Sequence, residues 1–315
     1  MNATATVRIP DRARIVPDTE KGHRVRLYAL YAFAIVTNLA IFFYGFDYYK
    51  LSSIDRPFSP KHHMLRPSGP IGLYLGFLGV ALFVGIFLYP IRKHWPWLGQ
   101  IGITRHWLDI HVLMGLTAPF IVAFHSTLKF RGIAGMAFWI MFAVSASGVV
   151  GRYLYAQIPR KVTTAELSMK ELQELRESLA RQLSAQRLLP KADLSAFLRM
   201  PDANRAAKLP IVIALVYMMV LDLARMLGVA KLRRSALTLG EAAATLGGFL
   251  ATRHRELEKV IHAAAEEAAL SKRLLFLSRS QKVFHLWHVV HKPFSYAFAL
   301  LALLHIGLQF VLGYF

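Results

Sequence analysis

The sequence has no cysteine. That excludes disulfides, thiolate-held iron–sulfur clusters and covalently attached c-type haem, all of which need the Cys side chain. Acidic residues are scarce as well. There are 18 Asp and Glu against 38 Lys and Arg, a formal net charge of +20. No glycine-rich nucleotide-binding turn and no alternating strand pattern is present, so a flavin or nicotinamide domain is not expected. The basic residues form no stripe interleaved with aromatics, which argues against a nucleic-acid partner. What the chain has in quantity is apolar surface: 55% of its residues are hydrophobic and the mean hydropathy is +0.40. Several long apolar runs make it an integral membrane protein. Its positive excess then reads as cytoplasmic segments facing anionic lipid.

The runs predict an all-α membrane protein, a bundle of about five transmembrane helices with a helical cytoplasmic insertion. Residues 1–26 are polar and basic and read as a cytoplasmic tail. Residues 27–151 hold four expected spans, at about 27–46, 71–90, 108–127 and 133–151. The first is too long for a signal-peptide core, and no small-residue cleavage site follows it, so it is kept as an anchor. The second carries Gly72, Gly76, Gly79 and Gly85, which permit close helix packing. In the third, Pro119 is expected to kink the helix or free a carbonyl. The small-residue end of the fourth, Ser145 to Gly151, allows close approach. Residues 152–284 form the insertion, and 285–315 the final span, starting near Val283. The expected location is a bacterial inner membrane with the N-terminus in the cytoplasm.

Inside the insertion, Thr163 and Glu166 have the spacing of a capping box. Leu172, Leu175, Leu179 and Leu183 mark an apolar stripe, and residues 254–284 also read as helix. Residues 209–228 are about long enough to span but contain Asp222 and Arg225, three apart and able to pair on one face. An interfacial or partly buried helix is the favoured reading there.

Two histidine pairs carry the chemistry: His111 with His125, and His291 with His305, each with thirteen mostly apolar residues between its members. Fourteen helical steps of about 100° return to within roughly 40° of the start, and they rise about 21 Å. Each helix therefore carries two histidines on one face, one towards each side of a bilayer. A single histidine in an apolar helix is usually packed or hydrogen-bonded. Ionisable residues within spans are costly, however, and a spacing repeated on two spans points to function. Two such helices face to face offer two bis-imidazole sites, one above the other, as iron in a porphyrin requires. Two haem b groups are the expected cofactors. Gly115, one turn beyond His111, would leave room for a flat macrocycle or for a neighbouring helix. Arg152 is a candidate propionate partner or a positive-inside anchor, and His288 a reserve ligand or propionate partner. His106 reads as interfacial, and His62 and His63 as exposed loop residues that could otherwise serve a quinone.

Paired histidines at this spacing on two spans resemble the transmembrane domain shared by ferric reductases and NADPH oxidases. Cytochrome b of the quinol-oxidising complexes is similar in arrangement. The resemblance covers roughly residues 71–151 and 285–315 and rests on His111, His125, His291 and His305. It implies single-electron transfer across the membrane through two stacked haems, fed from a cytoplasmic flavin domain. Here the last span runs to Phe315, so the donor is expected to be a separate flavin or iron–sulfur protein, or a quinone. A quinone-reactive cytochrome b subunit and a non-haem scaffold or metal carrier are the alternatives.

Overall fold

The structure, a computed structural model, describes residues 18–158, 165–202, 206 and 209–313. Among these residues there are helices and turns and no strand, as the apolar periodicity predicts. They fall into two compact units, 18–153 with 286–313, and 154–285.

The first unit contains α1 (Asp18–Tyr49), a 3-10 turn (Arg56–Phe58), α2 (His62–Leu65), α3 (Pro70–Arg92), α4 (Pro96–Gly99), α5 (Thr104–His125) and α6 (Gly132–Gln157). The end of α11 (Arg255–Val311) completes it. Large apolar side chains face outward, with Phe33 and Phe43 on α1 and Leu300 and Phe310 on α11 each at least 69% exposed. A water-soluble bundle would hide them, and a hydrocarbon solvent would not.

The glycines of α3 explain its packing. A methyl group at Gly79 would sit 3.3 Å from Val122 on α5, and one at Gly85 would sit 2.6 Å from the Met114 sulfur. With Cβ absent, the two backbones approach closely. The side chains of Tyr49, Leu75, Ile121 and Phe124 close the gap at one end. Ala118 of α5 meets Phe138 and Met141 of α6.

Buried arginines secure both ends of α5. At its start, Arg92 donates to Thr104 Oγ1 at 2.9 Å and to the carbonyls of Gly99 at 2.8 Å and Gly102 at 2.9 Å. At its end, Arg56 donates to the carbonyls of Tyr49 at 3.0 Å, Leu51 at 3.1 Å and Thr127. Thr127 and Leu128 have φ of 52° and 59°. That left-handed pair costs about 1–2 kcal/mol per residue, and it ends α5 directly after His125. Hydrogen bonds to a charged donor, worth about 1.5–3 kcal/mol each, offset it.

The second unit contains α7 (Ala165–Ala185), α8 (Lys191–Leu198), α9 (Ile211–Ser235), α10 (Leu239–Ala244) and the first half of α11. Leu179 and Leu183 of the expected stripe are fully buried against Leu232, Val260 and Ile261, and Leu175 packs on the same cluster. The side chain of Leu172 and the expected capping box at Thr163 and Glu166 lie outside the described residues. A capping pair does form at the start of α10. There the Glu241 carboxylate accepts from the Thr238 N–H at 3.1 Å and the Thr238 hydroxyl at 2.8 Å.

One expectation needs correction. The last helix does not start near Val283. It runs unbroken from Arg255, because no glycine interrupts it before Gly307 and its one proline, Pro293, is accommodated. The segment read as 209–228 is helical, as expected, from Ile211 to Ser235, and with α9 six helices among the described residues are long and apolar enough to cross a membrane by length and composition.

Candidate functional site

His111 and His125 both point from α5 onto α3. His111 Nδ1 lies 2.9 Å from the carbonyl of Ile86, and His125 Nδ1 lies 2.8 Å from that of Gly72. The two carbonyls are fourteen residues apart, like the histidines, because α3 runs antiparallel to α5 in register. The first acceptor exists because of the sequence. Ile86 would normally accept from the N–H of residue 90, which is Pro90, and proline has none. The second needs space. A methyl group at Gly76 would lie 2.8 Å from Cε1 and 3.0 Å from Nδ1 of His125. Pro119 behaves in the same way as Pro90. It frees the carbonyl of Gly115, which the Ser145 hydroxyl of α6 takes at 2.6 Å.

A carbonyl can only accept, so each Nδ1 carries the proton and each neutral ring keeps a free lone pair on Nε2. This is the state in which histidine binds a metal, and the bond to Nδ1–H sets ring orientation and raises basicity. His291 repeats it with a different acceptor. Its Nδ1 is 2.8 Å from Ser147 Oγ, which itself donates to the Val144 carbonyl at 2.8 Å. The small residues at the end of α6 make this approach possible. Trp287 lies flat over Gly151 and donates to the Ser147 carbonyl at 2.8 Å. His305 has no hydrogen-bond partner among the described residues.

The four rings form two tiers. His291 is an electrostatic neighbour of His111, and His305 of His125. Since 111 pairs with 291 and 125 with 305, α5 and the end of α11 run in the same sense. Each tier offers two imidazoles. Among the described residues, no group of three or more His, Asp or Glu is placed to hold a bare metal ion. Two axial nitrogens suit a metal whose other ligands come from a macrocycle, whereas zinc sites take three or four protein ligands. Gly115 and Gly148 are half-buried, yet a methyl group on either would meet no atom within 4 Å. The donor set and these two positions fit a flat cofactor.

Arg152 is committed elsewhere. It donates to Asp109 Oδ1 at 2.7 Å, and His23 donates to Asp109 Oδ2 at 3.2 Å. His106 stacks on His23 with ring centroids 3.5 Å apart and bonds to Glu20 at 3.4 Å. This network ties α1, α5 and α6 together beside the His111 tier. His288 meets Trp287 edge-on at 4.7 Å, while the Trp287 ring lies 4.5 Å from His291. Only His291 of the two has the Ser147 bond. His63 is exposed as expected, but His62 is half-buried and bonds to the Tyr48 hydroxyl at 3.1 Å.

Lys93 was not singled out by the sequence. Burial first, and then the charge of Lys292, hold its amine below the ordinary lysine range. It sits 4.6 Å over the ring of Tyr89, whose centroid is 5.1 Å from that of His111. Neither Lys93 nor Lys292 has an acidic partner among the described residues. Asp109 did carry a sequence signal, as an acid within an apolar run two residues before His111. The four-residue step from Ile86 to Pro90 was another. Set against family models, curated proteins and solved structures, the chain matches none of them.

Proposed function

We propose that this chain is the membrane subunit of an electron-transfer system and holds two b-type haems in tiers. His111 and His291 would ligate one, and His125 and His305 the other. Haem iron supplies a one-electron couple when bound. The protein's part is to present Nε2 lone pairs, fix ring orientation through Nδ1 and keep water out with the apolar walls of α3 and α5. Lys93 and Lys292, two cations without an acid beside the His111 tier, replace Arg152 as the carboxylate partners. Three histidines with Nδ1–H already engaged are the observation that carries the reading.

The shared sense of α5 and the end of α11 favours five crossings, by α1, α3, α5, α6 and the end of α11. With α6 reversing the chain once, a further crossing by α9 would reverse α11 and exchange the pairs. Residues 152–284 are then an insertion on one side, which their excess of Lys and Arg makes cytoplasmic. A separate flavin or iron–sulfur protein, or a quinone, would supply electrons.

The test is the absorption spectrum of the purified protein. The reading requires a Soret band and an α-band on reduction, both lost when all four histidines are replaced by Leu in folded protein. A folded, haem-free protein from cells able to make haem would overturn it.

A further inference from the structure

We infer that α9 lies along the membrane surface, with its outer face seated among the headgroups of anionic lipid. This rests on the membrane topology proposed above and not on the haem assignment. Val212, Val216, Met219, Leu223, Met226 and Leu227 recur at helical spacing and are each about half exposed or more. They make one apolar stripe about 22 Å long, at 1.5 Å per residue. The opposite face is finished. Ala214 and Met218 are buried, Tyr217 packs edge-on to Phe276, and the Asp222 carboxylate pairs with Arg225 and with the buried Lys272. The pair that made a span doubtful in the sequence is thus the inner seam of the helical unit.

Two observations choose the occupant. A spanning α9 would carry along the part of α11 packed on it, and that part bears Arg273, Arg279 and the exposed Lys282. Hydrocarbon rejects such charges. A spanning α9 would also break the parity that pairs His111 with His291. The stripe must therefore be covered without crossing. Lys231 and Arg234 are exposed at its C-terminal end, and an apolar stripe with basic flanks suits the acyl–headgroup boundary of an anionic bilayer. A helix seated there would hold the insertion against a leaflet.

The chain has no native cysteine, so single-cysteine spin labels report one site each. The full chain would be reconstituted in nanodiscs of phosphatidylcholine and phosphatidylglycerol. It would be labelled in turn at Val212, Val216, Met219 and Leu223, with relaxation by oxygen and by a water-soluble nickel chelate measured. All four labels should favour oxygen several-fold over nickel, at one shallow depth of about 5–10 Å. Replacing phosphatidylglycerol by phosphatidylcholine, or Lys231 and Arg234 by Glu, should raise nickel access several-fold. Depths that pass through the bilayer centre would overturn the inference in favour of a span. Full nickel access at every site would also overturn it, as would protection from both reagents, which marks a protein cover or a second copy. Indifference to lipid charge would overturn the assignment to anionic lipid. The Soret band of the same samples reports haem separately, so wet labels on a haem-loaded protein refute this inference alone.

Discussion

The two tiers differ in how their rings are held. At the His111 tier both Nδ1 atoms are engaged, one by the carbonyl that Pro90 frees and one by Ser147. At the other tier His125 is engaged by Gly72, and His305 has no such partner among the described residues. Cations differ as well: Lys93 and Lys292 flank the first tier, and Arg56 binds carbonyls just beyond the second. Orientation of a ligand and charge near a cofactor are the usual levers on affinity and potential. The first tier should therefore bind haem more tightly, and the second should lose it first.

The largest effect tests the tiers themselves. Leu at His111 or His291 should remove one of two haems, and Leu at His125 or His305 the other. The double variant His111→Leu/His291→Leu should keep one haem, while His111→Leu/His125→Leu should keep none, as read by haem per protein. Next comes Gly76→Ala. Its methyl group would overlap the His125 ring, and overpacking costs about 1–3 kcal/mol. It should deplete the second tier and spare the first. Gly85→Ala, which meets the flexible end of Met114, should be much milder. Ser147→Ala removes the acceptor for His291, and losing such an outer partner costs about 10–100-fold in affinity. A competition assay with a haem-binding apoprotein should show that loss in the first tier alone, making the two tiers more alike.

The smallest effect lies outside both tiers. Hydrogen bonds from the His254 ring and then from Thr238 hold Glu241 down to about 2. A carboxylate lowered on folding contributes stability that is complete above its unfolded value of about 4.5 and lost as pH falls towards 2. Between pH 5 and 2, unfolding of the helical unit should shift slightly more in the native protein than in Glu241→Gln. Haem content at neutral pH should be equal in the two.

Much of this was legible because the pattern is periodic. The fourteen-residue step, the glycines of α3 and the small residues of α6 are local features, and each meets the neighbour that its spacing allows. The joins were not legible. Arg255 to Lys282 reads as a charged helix and the following residues as an apolar one, yet no breaker separates them and the helix continues. Partners across the fold were also hidden. Nothing near Asp109 in sequence announces His23 or Arg152, and nothing near Arg56 announces Thr127. Such pairs are set by tertiary packing. Residues 209–228 were ambiguous because an Asp and an Arg suit either a buried seam or a costly span, and nothing near Asp222 in sequence announces its pairing with Lys272.

The most direct test of the central claim is haem stoichiometry with spin state, measured on the purified full chain. Pyridine haemochrome content per polypeptide gives the number, and low-temperature electron paramagnetic resonance of the oxidised protein gives the ligation. Two haem b per chain, both low-spin as bis-imidazole ligation demands, is the predicted result. No haem, or haem that is high-spin in the native protein, would contradict the assignment of His111, His125, His291 and His305.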